Sequence, residues 1–193
     1  MPRGWRPIDM DGRGDARTRQ LERLLELYEK RIYSLLYRLV GNREDAADLT
    51  QETFLKAFQA LEQFRREAAE YTWLARIAVN SAKNRFRAKD RRRRGEVDGL
   101  DSSESEEYVE VADEPSTPQA VLLARELGET IESAIGGLPD ELRVAIVLRD
   151  IEGYSYKEIA DVTGASIENV KTRIFRGRSR IRRVLEPYLR GDE

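Results

Sequence analysis

The stretch at residues 154–185 constrains the fold most, because it reads as two helices on either side of a tight turn. Ser155 can cap the first helix, and Glu158, three residues later, can complete a capping box. Gly164 suits a turn that requires positive φ, and Ser166 can cap the second helix. Apolar residues recur in that helix at helical spacing and predict its buried face: Val170, Ile174, Ile181 and Leu185.

The opposite face of this second helix is strongly basic, since residues 171–183 contain seven cations and no anion. A short helix, a glycine turn and a long basic helix are typical of a helix-turn-helix, whose second helix enters the major groove of DNA. The alternative is an ordinary helical hairpin with a solvated basic face. The charge bias favours DNA, and the residues predicted to contact it are Lys171, Thr172, Arg173, Phe175, Arg176 and Arg178.

The composition excludes several kinds of chemistry. The 193 residues include no cysteine and no histidine, which removes disulfides, thiolate or imidazole catalysis, and zinc fingers. No apolar run approaches the roughly 18 residues that a membrane span needs. These features fit a cytoplasmic protein, and we expect no catalytic residue, no metal and no cofactor.

Changes of composition divide the chain into four segments. Residues 1–20 are polar and arginine-rich and are predicted to be a disordered tail. Residues 95–118 carry nine acids and no base, with too few apolar residues to fold alone, and are predicted to be a flexible linker. Residues 21–94 and 119–190 show helical periodicity and no strand-like alternation. The predicted fold is therefore all-α, with two small helical domains joined by an acidic linker.

Three helices are predicted in the first domain. Apolar residues at spacings of three and four indicate a helix from Leu21 that ends at Gly41. Asn42 can cap a second helix, which is expected to run to about Phe64. A third helix is expected from about Thr72 into an arginine-rich run.

One face of the second helix is acidic and bordered by apolar side chains. A solvated face with two apolar residues buried by a neighbouring helix is one interpretation. A docking surface for a basic, partly apolar partner is another, and a carboxylate metal site is a third. The residues of this face are Asp45, Asp48, Gln51, Glu52, Leu55 and Phe58.

One face of the third helix combines cations, amides and an aromatic ring. Such a face suits a DNA strand, because it offers phosphate neutralisation, base-edge hydrogen bonds and stacking. The alternative for the aromatic residue is a plain place in the core. The predicted DNA-contacting set is Trp73, Arg76, Asn80, Lys83, Asn84 and Arg87.

The acidic linker lies in sequence between two cationic segments, residues 91–94 and the helix from Lys171. In the free chain it can fold back and compete with DNA phosphates at high effective concentration. The alternatives are a plain solubilising spacer and masking by packing of the two domains.

Several motifs resemble the extracytoplasmic-function (ECF) sigma factors of the sigma-70 family. Residues 45–54 (DAADLTQETF) and 72–80 (TWLARIAVN) resemble their region two. Leu138-Pro139, residues 153–160 (GYSYKEIA) and residues 170–174 (VKTRI) resemble their region four. The likeness extends to the RpoE-like, envelope-stress branch through YTWLARIAVNSAKN.

The resemblance implies a subunit that binds core RNA polymerase and directs it to promoters, with an anti-sigma factor as a further partner. The acidic face would dock the clamp helices of the β′ subunit, and the second domain would meet the β flap. The predicted face of the third helix would read the minus-10 element and the helix-turn-helix the minus-35 element. The anti-sigma factor could hold the protein at the inner membrane, and no small-molecule substrate is expected. The connector at residues 66–70 departs from the family pattern.

Two other functions compete with this one. A stand-alone helix-turn-helix regulator explains residues 119–190 but neither the acidic face nor the face of the third helix. A nuclease acting through Asp45, Asp48 and Glu52 would depend on metal–carboxylate chemistry, because the chain has no histidine or cysteine.

Overall fold

The computed structural model describes residues 12–61, 64, 69–95 and 118–189, and these form helices and turns with no strand. The all-α prediction is confirmed. The first three helices are α1 (Gly12–Val40), α2 (Arg43–Ala60) and α3 (Glu70–Gly95). Four further α-helices and one π-helical turn form the second unit: α4 (Pro118–Gly136), α5 (Asp140–Ile146), the π-helical turn (Val147–Ile151), α6 (Tyr156–Thr163) and α7 (Ile167–Leu189).

Local signals place the end of α1 and the start of α2 where they are predicted. Gly41 has φ +70°, a conformation that glycine adopts without a Cβ penalty. The side-chain oxygen of Asn42 accepts a hydrogen bond from the backbone nitrogen of Asp45 at 2.9 Å. The second helix ends at Ala60, about a turn earlier than the expected Phe64.

The prediction of a disordered tail is wrong for residues 12–20, because α1 already begins at Gly12. The guanidinium of Arg17 lies 4.9 Å from the ring centroid of Phe58 and donates a hydrogen bond to the Phe58 carbonyl at 3.0 Å. Packing on α2 therefore stabilises a polar turn whose own sequence has no apolar periodicity. Residues 1–11 lie outside the described residues.

Helices α1, α2 and α3 form a three-helix bundle around one apolar core. Apolar residues of α1 at spacings of three and four face this core, where they pack with buried residues of α2 and α3. Residues at 0–1% exposure include Leu24, Ile32, Leu35, Leu36, Leu39, Ala46, Leu49, Leu74, Ala78 and Val79.

The second bundle contains the helix-turn-helix predicted from residues 154–185. Ser155 and Glu158 make a reciprocal capping box, and Gly164 has φ +69° in the turn. The hydroxyl of Ser166 accepts from the backbone nitrogen of Asn169 at 3.2 Å. Val170 and Ile174 are buried as predicted, in a core with Ile146, Val147, Leu148, Ile159 and Val162.

The π-helical turn is a feature that the sequence pattern did not indicate. It widens the chain just before Gly153, where the backbone nitrogen of Tyr154 donates to the Leu148 carbonyl at 2.9 Å. Arg149 stabilises the segment after this turn by donating a hydrogen bond to the Tyr154 carbonyl at 2.7 Å. Glu152 and Tyr154 reach the first bundle from this turn.

The two bundles pack against each other. Helix α1 contacts α4 and α5, and α3 contacts α6. The segment between them, residues 96–117, lies outside the described residues, so the predicted linker and its boundaries stay predictions. Within the described part of the chain, no helix is long and apolar enough to cross a membrane.

Gly177 in α7 permits the close approach of α5, and this contact gives a stability prediction. A Cβ at position 177 would lie 2.5 Å from Cγ1 and 2.9 Å from Cδ1 of Ile146. Overpacking costs about 1–3 kcal/mol, which exceeds the gain of about 1 kcal/mol that alanine brings to a helix. The middle of the overpacking range less the helix-propensity gain leaves a net loss of about 1 kcal/mol. We therefore expect Gly177→Ala to lower the free energy of unfolding by about that amount in urea denaturation.

Gly128 in α4 is the matched control, because a Cβ added at that position would meet no atom within 4 Å. Gly128→Ala should raise the free energy of unfolding by about 0.5–1 kcal/mol through helix propensity alone. Equal stabilisation by both substitutions would contradict the proposed close packing at Gly177.

Candidate functional site

The acidic face of α2, which we call the docking face, remains largely on the surface. Asp48 is 70% exposed and Leu55 is 59% exposed, and Gln51 is also exposed. Arg85 on α3 faces both aspartates, with Nη1 2.9 Å from the carboxylate of Asp45 and Nη2 3.9 Å from that of Asp48. The exposed end of the face thus combines a largely solvated negative charge with an uncovered leucine.

Two other members of the docking face are tied to their own bundle. Glu52 forms an ion pair with Lys56 and accepts a hydrogen bond from the Ser81 hydroxyl at 3.3 Å. Phe58 is partly buried under the Arg17 guanidinium and packs against the core. Burial by a neighbouring helix, one of the interpretations left open by the sequence, therefore holds for Phe58 and not for Leu55.

The metal interpretation of this face finds no support in the geometry. The carboxylates of Asp45 and Glu52 point to separate cations, Arg85 and Lys56. No group of three or more acidic, histidine or cysteine side chains in the described part of the chain could hold a metal ion.

Most of the predicted face of α3 lies on the surface. Arg76, Asn80, Asn84 and Arg87 are exposed along the helix. The ring of Trp73 is half-buried and lies 4.8 Å from the ring of Phe64, measured between centroids. Its packing against the core agrees with the plainer interpretation of this aromatic residue.

Lys83 is the exception on this face, because the second bundle covers it. Its Nζ donates to the carbonyl of Thr163, the last residue of α6, at 2.6 Å. Burial lowers the pKa of Lys83, and the nearby charges of Arg173 and Arg87 lower it further. A cation predicted to meet DNA is thus held at the contact between the bundles.

The predicted face of α7 is exposed but partly neutralised. Lys171, Thr172 and Arg176 face solvent, and Phe175 is 73% exposed. Such an uncovered aromatic ring on a basic helix suits contact with base edges or methyl groups.

Two arginines of this face are bound to acids of their own bundle. Arg173 donates to Glu141 at 2.6 Å. Arg178 donates to both carboxylate oxygens of Asp150, one of them from Nε at 3.1 Å. The hydrogen bond to Asp150 raises the pKa of Arg178, and the charge of Asp150 adds to this effect. Arg176 can therefore contact DNA directly, whereas Arg173 and Arg178 would first have to break their hydrogen bonds to Glu141 and Asp150.

Sequence reasoning missed the residues that join the bundles. Glu152 accepts hydrogen bonds from Tyr71 and Arg31, and Arg143 donates to the Leu39 carbonyl at 2.6 Å. Each partner pair is separated by more than 80 residues. The sequence signal for these contacts is weak. Arg143 lies in the short helix α5 among apolar residues, and this pattern does not indicate which group accepts its hydrogen bonds.

Comparison with protein families gives two matches that together span more than half of the chain. The family described as Sigma-70 region 2 matches residues 24–92, which form the first bundle. The family described as Sigma-70, region 4 matches residues 128–181, which include the helix-turn-helix.

Curated relatives are similar over nearly their whole length. RNA polymerase sigma-H factor of Pseudomonas aeruginosa is 39% identical over 181 residues, covering 92% of this chain and 91% of the relative. ECF RNA polymerase sigma-E factor of Haemophilus influenzae is 38% identical over 176 residues, covering 91% and 92%. That of Escherichia coli strain K12 is 39% identical over 179 residues, covering 92% of each.

Two solved structures share the fold. The sigma factor RpoE of Bartonella quintana, crystallised with the anti-sigma factor NepR, has a TM-score of 0.66 at 22% identity, with 86% of this chain and 97% of that chain covered. CnrH, in complex with the cytosolic domain of CnrY, has a TM-score of 0.59 at 24% identity, with 88% and 89% covered.

Proposed function

The chain belongs to the extracytoplasmic-function sigma factors of the sigma-70 family, and from this premise we propose how its surfaces divide the work. It is an alternative RNA polymerase sigma factor, which directs promoter-specific transcription initiation. A stand-alone helix-turn-helix regulator is not favoured, because the region 2 match covers residues 24–92, which are most of the first bundle. As an initiation factor it would bind without performing a catalytic step of its own.

The observation that supports this assignment of roles is the opposite charge of two exposed faces, the acidic face of α2 and the basic face of α7. The docking face on α2 offers exposed Asp48 and Leu55, which suits the clamp helices of the β′ subunit if these present cations beside apolar side chains. The exposed face of α7 offers cations and Phe175, and residues 171–183 carry no acid, which suits the minus-35 duplex. The second bundle would also meet the β flap.

The exposed residues of α3 suit a single DNA strand at the minus-10 element. Arg76 and Arg87 supply positive charge, and Asn80 and Asn84 supply amides that both donate and accept hydrogen bonds. Trp73 would act mainly through its packing with Phe64, which fixes the start of the helix. Lys83 would reach DNA only after α6 moves away from α3, because its Nζ donates to the Thr163 carbonyl.

We also propose an anti-sigma partner, cytoplasmic action and a stress or envelope-response regulon. The Bartonella quintana neighbour was crystallised with an anti-sigma factor, and several curated relatives are named sigma-E factors. Inner-membrane tethering through that partner is part of the proposal.

Run-off transcription tests the function. Purified protein and core RNA polymerase, supplied with a randomised promoter pool, should yield transcripts that share two sequence elements. Core polymerase alone is the control and should yield no such enrichment. Tight, specific DNA binding by the free protein with no stimulation of core polymerase would instead support the stand-alone regulator.

Charge reversal tests the docking face. Asp48→Lys should weaken association with core polymerase by several kcal/mol, because it would place like charges in close contact. Helicity should be unchanged, since the side chain is 70% exposed. Glu26→Lys on the exposed surface of α1 makes the same charge change away from the face and is the control. Equal retention of both variants by immobilised core enzyme would refute the assignment.

Two exposed arginines of α7 should behave differently. Arg176 lies on the predicted base-reading face, and alanine there should relax discrimination at one minus-35 position by about 1–3 kcal/mol. Arg182 lies further along the helix and is expected to touch phosphate, so its alanine variant should weaken all promoters alike and reduce the salt dependence. Run-off assays on single-base promoter variants measure both effects. Equal, sequence-independent losses would mean that the recognition face is wrongly assigned.

A further inference from the structure

We propose that Glu152, Arg31 and Tyr71 form an interdomain latch, which holds the free chain in a closed state that masks part of its DNA-binding surface. Glu152 follows the π-helical turn in the second bundle, whereas Arg31 lies in α1 and Tyr71 in α3. The proposal rests on the proposed function, because it concerns when the promoter-reading surfaces become available.

The geometry of the latch is that of a satisfied, nearly buried carboxylate. The Glu152 side chain is 6% exposed. Its Oε2 accepts from the Tyr71 hydroxyl at 2.7 Å, and from Nη2 and Nε of Arg31 at 3.2 and 3.3 Å. Burial raises the pKa of Tyr71 above its usual value, and the hydrogen bond to Glu152 adds to this, so the phenol stays a neutral donor.

Aromatic packing surrounds this carboxylate. The Arg31 guanidinium lies 3.6 Å from the ring centroid of Tyr71, and the rings of Tyr71 and Tyr154 are 6.3 Å apart. A buried carboxylate is costly unless it is paired and hydrogen-bonded. In the closed chain both partners of Glu152 come from the other bundle, and in an open chain water would replace them. The contact is therefore suited to reversible opening.

A second contact joins the bundles at the far end of α1. Nη1 of Arg143 donates to the Leu39 carbonyl at 2.6 Å, where the helix leaves its last carbonyls without helical partners. Nη2 of Arg143 donates to Gly136 and Leu138 of its own bundle at 2.6 and 2.9 Å. Arg143 thus fixes one bundle to the other through hydrogen bonds to backbone carbonyls.

The closed state also contains an unfavourable element. Lys83 is held against Thr163 near Arg173 and Arg87, and these like charges together with burial lower its pKa. Opening would release Lys83 from burial and from the charge of Arg173, whereas Arg87 lies on the same helix and would stay near it. DNA phosphates would then neutralise the group. The same residues that oppose closure are those predicted to meet DNA, so promoter binding favours the open state.

Promoter dimensions require the bundles to separate. The minus-10 and minus-35 elements are about 25 base pairs apart, which is about 85 Å at ~3.4 Å per base pair. In the closed chain the α3 face touches the end of α6, the helix just before α7. Residues 96–117 can reach at most about 75 Å at ~3.4 Å per residue, which together with the size of the bundles allows both elements to be met after opening.

The absence of cysteine permits a direct test of the closed state in the full chain. Spin labels on Glu22→Cys in α1 and Asp161→Cys in α6, both exposed positions, report the distance between the bundles. The labelled wild-type background should show one short distance. Adding Glu152→Ala or, from the other bundle, Arg31→Ala should populate distances longer by tens of Å. Arg31 is about half exposed, so its loss should not unfold the first bundle.

Glu129→Ala is the matched control, because its ion pair with Arg125 stays within α4. It removes the same charge as Glu152→Ala from the same bundle. Affinity for a mixed-sequence single-stranded DNA of 12 nucleotides gives the second readout. If about a tenth of the free chain is open, release of the latch should tighten binding about tenfold over the control variant, with a salt slope steeper by about 1 for the released lysine.

Three outcomes are distinguishable. Unchanged distances in both Glu152→Ala and Arg31→Ala would overturn the latch. Longer distances with DNA affinity equal to that of Glu129→Ala would overturn masking. A failure of run-off transcription by the wild-type protein would overturn the proposed function instead, while the distance and DNA measurements, which need no polymerase, would still decide the closed state.

Discussion

The apolar stripe of α1 is the constraint on which the rest of the molecule depends. Five of its side chains are almost fully buried in the bundle that α1 forms with α2 and α3: Leu24, Ile32, Leu35, Leu36 and Leu39. Each such side chain contributes about 1.5–3 kcal/mol when it leaves water, so the stripe makes a large contribution to the stability of the first bundle. The same helix supplies the Leu39 carbonyl and Arg31 to the second bundle. One helix therefore holds one bundle together and provides the platform on which the other docks.

The contact between the bundles has more charged groups than the interior of either bundle. Inside each bundle the contacts are apolar and closely packed, as at Gly177 and Ile146. Between the bundles, aromatic packing of Tyr71 on Tyr154 is accompanied by hydrogen bonds that involve a full charge, as at Glu152, Arg143 and Lys83. Water can replace such partners at low cost once the groups are exposed, whereas it cannot replace apolar burial. Each bundle is thus suited to persist while the contact between them opens.

This difference also explains why the functional surfaces are unequally available. The exposed acid and leucine of the docking face need no rearrangement to meet a partner. The residues predicted to contact DNA are unequally available, because Arg176 is in solvent while Arg173 is bound to Glu141 and Lys83 to Thr163. A sigma factor of this design would recognise core polymerase first and expose its full cationic surface later, in keeping with the need for the two bundles to part on a promoter.

The sequence alone determined what depends on local chemistry. Gly41 and Gly164 end helices because each adopts positive φ, and Asn42 and Ser155 begin helices because their side chains accept from the next turn. Helical spacing likewise indicated the buried stripe of α1, the acidic face of α2 and the basic face of α7, and the motifs on them indicated the family. Only the tertiary structure decided that α1 begins at Gly12, that the chain widens before Gly153, and that Lys83 and Glu152 are covered. The contacts of Arg17, Lys83 and Glu152 join residues more than 40 positions apart, which a local sequence pattern cannot indicate. The π-helical turn has no periodic sequence signal of its own.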